Sequence, residues 1–111
     1  MVKYNAENLN DLFHALADPT RRAMLQALAG QSLSVGDLAK PFDMSLAAAS
    51  KHIRVLEQAG LINRQVIGRS HICELNAGPM HCGLEWIQHY QRYWNRQLDT
   101  LEELLNKPDS D

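Results

Sequence analysis

The sequence predicts a mainly α-helical fold with one β-hairpin, about five helices plus a two-stranded wing. Three observations carry this expectation. Apolar residues recur at helical spacing through most of the chain. Residues 46–59 form a short helix that carries Ser50-Lys51-His52 and Arg54 and runs into Ala59-Gly60-Leu61-Ile62. Two β-type runs follow, joined by Gly68-Arg69. A recognition helix followed by a hairpin is the order of a winged helix-turn-helix, in which the helix enters a major groove and the hairpin tip reaches the flanking backbone or minor groove.

The first helix is expected over about residues 6–17, because Leu9, Leu12, Phe13 and Leu16 follow the 3, 4 spacing of one apolar stripe. Asp18-Pro19 ends it and starts the next: Asp18 is a good N-cap, and Pro19 costs nothing at the first helical position. The second helix runs to about Ala29 with Met24, Leu25 and Leu28 inward, and Gly30 stops it. Ser34 caps a short third helix, Val35 to Lys40, which Pro41 helps to end. Ser45 caps the fourth, about Leu46 to Ala59. Leu46, Ala49, Ile53 and Leu56 form its buried stripe, leaving Ala47, Ala48, Lys51, Arg54 and Gln58 outward with Ser50 at the margin. Residues 61–67 and 70–75 are the two strands, with glycine where a positive φ is needed. Gly78-Pro79 opens a final long helix to about Leu105.

At 111 residues the chain is expected to be one domain. Residues 1–107 are assigned to a winged-helix DNA-binding and dimerisation domain, and 108–111 to a disordered tail. No apolar run approaches the roughly 20 residues needed to span a bilayer, and Met1-Val2-Lys3-Tyr4-Asn5 does not resemble a signal peptide. A cytoplasmic location without membrane contact is the default, and there Cys73 and Cys82 stay reduced. The net charge of −2 hides an asymmetry. Residues 45–72 hold Lys51, Arg54, Arg64 and Arg69 against Glu57, a net +3, while the remainder nets −5. A basic face on an acidic body is the electrostatic footprint of a DNA-binding module.

Several short signals in order and spacing resemble the ArsR family of winged-helix repressors. They are Leu16-Ala17-Asp18-Pro19-Thr20-Arg21-Arg22, then Val35-Gly36-Asp37-Leu38-Ala39, then the dense run from Ser50 to Ile62, and Gly68-Arg69 at the wing. The resemblance covers most of the chain. It implies a homodimeric transcription factor, usually a repressor, released from double-stranded DNA by a small effector whose identity is unknown here. The chain departs from the family's metal sensors, which carry paired cysteines in the segment that here reads Leu33-Ser34-Val35-Gly36-Asp37-Leu38. Serine is a poor ligand for soft metals and glycine has no side chain. No metal and no cofactor is therefore expected.

The candidate DNA-contacting residues are Ser45, Ala47, Ala48, Ser50, Lys51, His52, Arg54, Arg64 and Arg69. Lysine and arginine neutralise phosphates, and serine can donate to phosphate or base edges. The bland alternative is a solvated helix face, with His52 as a structural hydrogen-bonder and Arg64 as a strand-face charge. The last helix carries a heptad seam: Met80, Leu84, Ile87, Gln91, Trp94, Leu98, Leu101 and Leu105 alternate spacings of four and three. Leu9, Leu12, Phe13, Leu84, Ile87, Trp94, Leu98, Leu101 and Leu105 are the candidate dimerisation residues. Trp86, Tyr90 and Tyr93 flank the seam, where an effector pocket at a dimer interface is a further alternative. His81, Glu85 and His89 fall on one helix face, but i to i+8 spans about 12 Å. A metal- or redox-responsive repressor using His81, His89, Cys73 and Cys82 is thus a minor alternative. A winged helix that binds protein instead of DNA is another. No phosphate loop, HExxH run or nucleophile signature points to an enzyme.

Overall fold

The computed structural model describes residues 6–107, with the side chains of 6 and 7 excepted. The N-terminal residues 1–5 and the expected tail at 108–111 lie outside the described residues. The order is α1 (Ala6–Leu16), α2 (Pro19–Ala27), β1 (Leu33–Ser34), α3 (Val35–Ala39), α4 (Leu46–Gln58), β2 (Ile62–Ile67), β3 (Ser70–Leu75), α5 (Gly78–Gln88) and α6 (Gln91–Asn106).

The caps form where the sequence placed them. Asp18 accepts from the Arg21 amide, Ser34 from Asp37 and Ser45 from Ala48. Each satisfies one of the amide donors that a helix start leaves unpaired. At the hairpin tip Gly68 has φ 64°, and Ile67 pairs with Ser70 across a two-residue turn. A glycine at the first central position is what a type II′ turn requires, and such turns match the twist of the flanking strands.

The core is helical. Leu12 and Ala15 from α1, Met24 and Leu25 from α2, Leu28 just beyond it, Leu38 from α3 and Ala49, Ile53 and Leu56 from α4 meet Leu61, just before β2, and Ile62 and Cys73 of the sheet. α5 crosses α1 closely: a Cβ at Gly83 would lie 2.6 Å from Leu12 Cδ2, so any larger residue there would have to displace the Leu12 side chain.

The winged helix-turn-helix stands, with two additions. β1 has no signal in the sequence; it pairs Leu33 with Cys73 and Ser34 with Ile72, making a three-stranded antiparallel sheet in the order β1-β3-β2. Two residues are too short to show an alternation pattern. The expected single last helix is two helices, interrupted at His89 and Tyr90. There the amides bond three residues back, His89 to Trp86 and Tyr90 to Ile87, which tightens the last turn of α5. No proline or glycine marks this joint.

α6 buries no residue. The radius of gyration is 19.8 Å, against about 13 Å for a compact chain of this length. The helix therefore projects from the body, touching mainly α5.

Candidate nucleic-acid interface

α4 is amphipathic in the way its buried stripe requires. Ala49, Ile53 and Leu56 are inaccessible, while Ser45, Ala47, Lys51, Arg54 and Gln58 are exposed and Ala48 and Ser50 half-buried. The Ser45 hydroxyl oxygen accepts from the Ala48 amide at 3.1 Å, so it caps the helix and still has its own hydrogen to donate. Leu46 breaks the expectation. The helical period puts it in the buried stripe, but it is 61% exposed. It stands at the first helical position, beyond the reach of the core that covers Ala49 one turn later.

The basic residues divide into two groups. Arg64 on β2 donates from its guanidinium to Glu57 Oε1 on α4. That ion pair braces the wing against the recognition helix, and it cancels the charge of both partners. No described residue forms an ion pair with Lys51, Arg54 or Arg69. Three cations on α4 and the wing tip thus remain available to an external anion. His71 of β3, which is not among the candidate DNA-contacting residues, pairs with Val66 near the tip and is exposed.

His52 sits differently from its neighbours on α4. Its Nδ1 is 3.2 Å from the Arg21 guanidinium and 3.8 Å from Asp18 Oδ2. Arginine only donates, so Nδ1 is the acceptor in this contact. Arg21 is buried and donates further to the carbonyls of Ala15 at 2.9 Å and His14 at 2.8 Å. It closes the end of α1 and ties that end to α4. The Asp18 carboxyl is held below its ordinary value, first by the Arg21 amide hydrogen bond and further by the Arg21 guanidinium charge. One ring nitrogen of His52 therefore belongs to the scaffold that aims α4.

The metal-sensing position of α3 does not fit a thiolate centre: Ser34 caps the helix with its oxygen, and Gly36 offers no ligand. Cys73 is inaccessible in the central strand, where burial pushes its thiol up and disfavours the reactive thiolate. Cys82 is also buried. His81 Nε2 meets Glu85 at 2.8 Å. Among the described residues no three histidine, cysteine or acidic side chains are grouped to hold a metal.

The candidate dimer residues are also split. Leu12 is 1% exposed and packs in its own core, so it is not part of an interface. Its place on the inner side of α1, against Gly83, explains why. Leu9 is half-buried. Phe13, Leu84, Ile87, Trp94, Leu98, Leu101 and Leu105 are exposed, and Leu104 and Tyr93 with them. Phe13 meets Trp86 edge-on at 5.7 Å, and Trp86 meets Tyr90 at 5.3 Å, so an aromatic ladder links α1 to the end of α5. No described helix is long and apolar enough to cross a membrane.

Residues 16–65, from the end of α1 to the middle of β2, match a helix-turn-helix domain family. The transcriptional repressor SdpR of Bacillus subtilis is 32% identical over 82 residues, 74% of this chain and 91% of its own. The crystal structure of an ArsR family transcriptional regulator superposes with a TM-score of 0.77 at 42% identity, covering 86% of this chain and 97% of that one. The chain belongs to the ArsR family of winged helix-turn-helix transcriptional regulators. A second relative of this ArsR-family chain, the HTH-type transcriptional regulator Rv2034 of Mycobacterium tuberculosis, is 33% identical over 100 residues, 89% of this chain and 90% of its own. In this chain the domain match ends inside the wing, so Arg69 and His71 lie beyond it.

Proposed function

We propose that this ArsR-family regulator works as a homodimeric repressor that binds an inverted-repeat operator, with one α4 per half-site. The observation that carries the proposal is the exposed Lys51, Arg54 and Arg69 set on a helix and a wing tip that the Glu57–Arg64 pair holds together. A helix with that face fits the major groove, and a cation on the adjoining tip reaches backbone phosphate. Ser50 is the proposed base or phosphate donor, Ser45 a phosphate donor, and Ala47 and Ala48 the small residues that permit close approach. His52 and Arg64 are assigned to positioning. The exposed stripe on α5 and α6, with Phe13 of α1, supports pairing with a second copy, since a patch of this extent is unusual on a monomer. Two-fold symmetry sets the half-site centres about one helical turn apart, roughly 34–36 Å. The protein acts in the cytoplasm by binding, not by catalysis.

The test is a gel-shift titration of DNA from upstream of its own gene against a scrambled duplex of equal length. Tighter binding to the upstream duplex is the expected outcome. Equal binding to both rejects the repressor.

A further inference from the structure

Leu46 stands outside the core that the rest of its helix helps to build. A leucine at the leading end of α4 is left 61% exposed, although the same helix buries Ala49, Ile53 and Leu56 completely. It is not part of the apolar stripe on α5 and α6. Its neighbours in the first turn are Ser45, whose oxygen is engaged in capping, and Ala47, which is exposed and short. The N-terminal turn of a recognition helix is the part that reaches base edges. In the major groove one base differs from the rest by an apolar feature, the C5-methyl of thymine.

We propose that Leu46 reads a thymine methyl in each operator half-site, making it a specificity-determining residue. The inference rests on the proposal that α4 enters the major groove. Lys51 and Arg54 lie one to two turns further along the helix, where they serve phosphates and leave the tip free for an uncharged contact. Ala47 leaves room beside Leu46 for the floor of the groove. Ser50, one turn behind Leu46 on the same side, is the polar partner of this readout and supplies a hydrogen bond next to the apolar contact. The class of ligand is therefore a duplex with a thymine at a fixed position in each half-site, not an A·T pair in general. Reversing the pair moves the methyl to the other strand and removes the contact.

The experiment uses a duplex selected by the wild-type protein from a randomised library. Thymines are replaced one at a time by deoxyuridine, which lacks only the methyl. Affinity is read by fluorescence anisotropy for wild type, Leu46→Ala and Leu46→Met. For wild type, one symmetric thymine position should lose about fourfold per methyl, the worth of one buried methyl or methylene group. Replacement in both half-sites should lose about fifteenfold, the product of the two. Leu46→Ala should be indifferent to the same replacement, whereas Leu46→Met, which keeps an apolar tip, should still sense it. A selected duplex in which wild type tolerates deoxyuridine at every position overturns the inference and leaves the operator-binding proposal standing. So does an equal loss in wild type and Leu46→Ala. Failure of the library to yield any preferred sequence overturns both.

Discussion

α4 and α6 are both amphipathic, yet they meet their surroundings in opposite ways. From Ala49 onward α4 has its apolar side covered by the domain core, and beyond the exposed Leu46 and Ala47 of its first turn it shows Lys51, Arg54 and Gln58. α6 shows its apolar side, with Trp94, Leu98, Leu101 and Leu105 all more than half exposed. A stripe in the middle of the chain has neighbours on both sides to cover it. Among the described residues α6 meets mainly α5, and in the proposed dimer a second copy covers the rest of its stripe. In the proposed repressor the two helices are binding surfaces of different physics. There, association through α4 is driven by charge and weakens with salt, while association through α6 is driven by apolar burial and responds little to salt.

The largest expected effect comes from putting a charge on the α6 stripe. Leu98→Glu would bury an unpaired carboxylate in the proposed pair, at a cost of several kcal/mol. Sedimentation should then show monomer, and operator binding should be lost. A wild type that sediments as a monomer at micromolar concentration contradicts the comparison at its root.

Alanine substitutions separate the two kinds of stripe. Ile53→Ala removes a side chain from the core of one protomer and should cost about 2–5 kcal/mol. Urea denaturation should show the same loss at any protein concentration. Leu101→Ala removes a side chain that the single chain leaves exposed, so its loss should depend on concentration, as stability linked to association does. Equal, concentration-independent losses in both variants would mean that α6 packs only within its own chain.

A smaller effect tests the support behind α4. Asp18→Ala removes the α2 cap and should destabilise by about 1 kcal/mol. Because the folded carboxyl is held below its ordinary value of 3.8, its contribution is complete above that value and is lost as the pH falls through the lower folded value. Wild type and variant should therefore differ at neutral pH and converge in acid. A difference that persists below the folded titration would remove the carboxylate from the account.

Much of this architecture is legible in the residues themselves. Caps at Asp18, Ser34 and Ser45 announce helix starts because each side chain has a local job. Gly68-Arg69 announces the hairpin for the same reason. The parts that escape the sequence depend on distant contacts. Arg64 reads as one more DNA cation until Glu57, seven residues away on another element, is seen to hold it. Leu12 fits the interface pattern as well as Phe13 does, and only the crossing of α1 on α5 at Gly83 turns it inward. Leu46 follows the buried period but precedes the core. The joint at His89 and Tyr90 carries no helix breaker, so the heptad pattern runs across it unmarked.

The claim that α4 and the wing form a charged DNA surface is tested most directly by a salt series on operator and scrambled duplexes. Lys51, Arg54 and Arg69 from two protomers supply about six phosphate contacts, so log K against log salt should slope near −5. Arg69→Ala should weaken binding to both duplexes and flatten the slope by about 2. Fluorescence anisotropy across that series should give this slope together with tighter binding to the operator. A flat salt dependence, or one affinity for both duplexes, would contradict it.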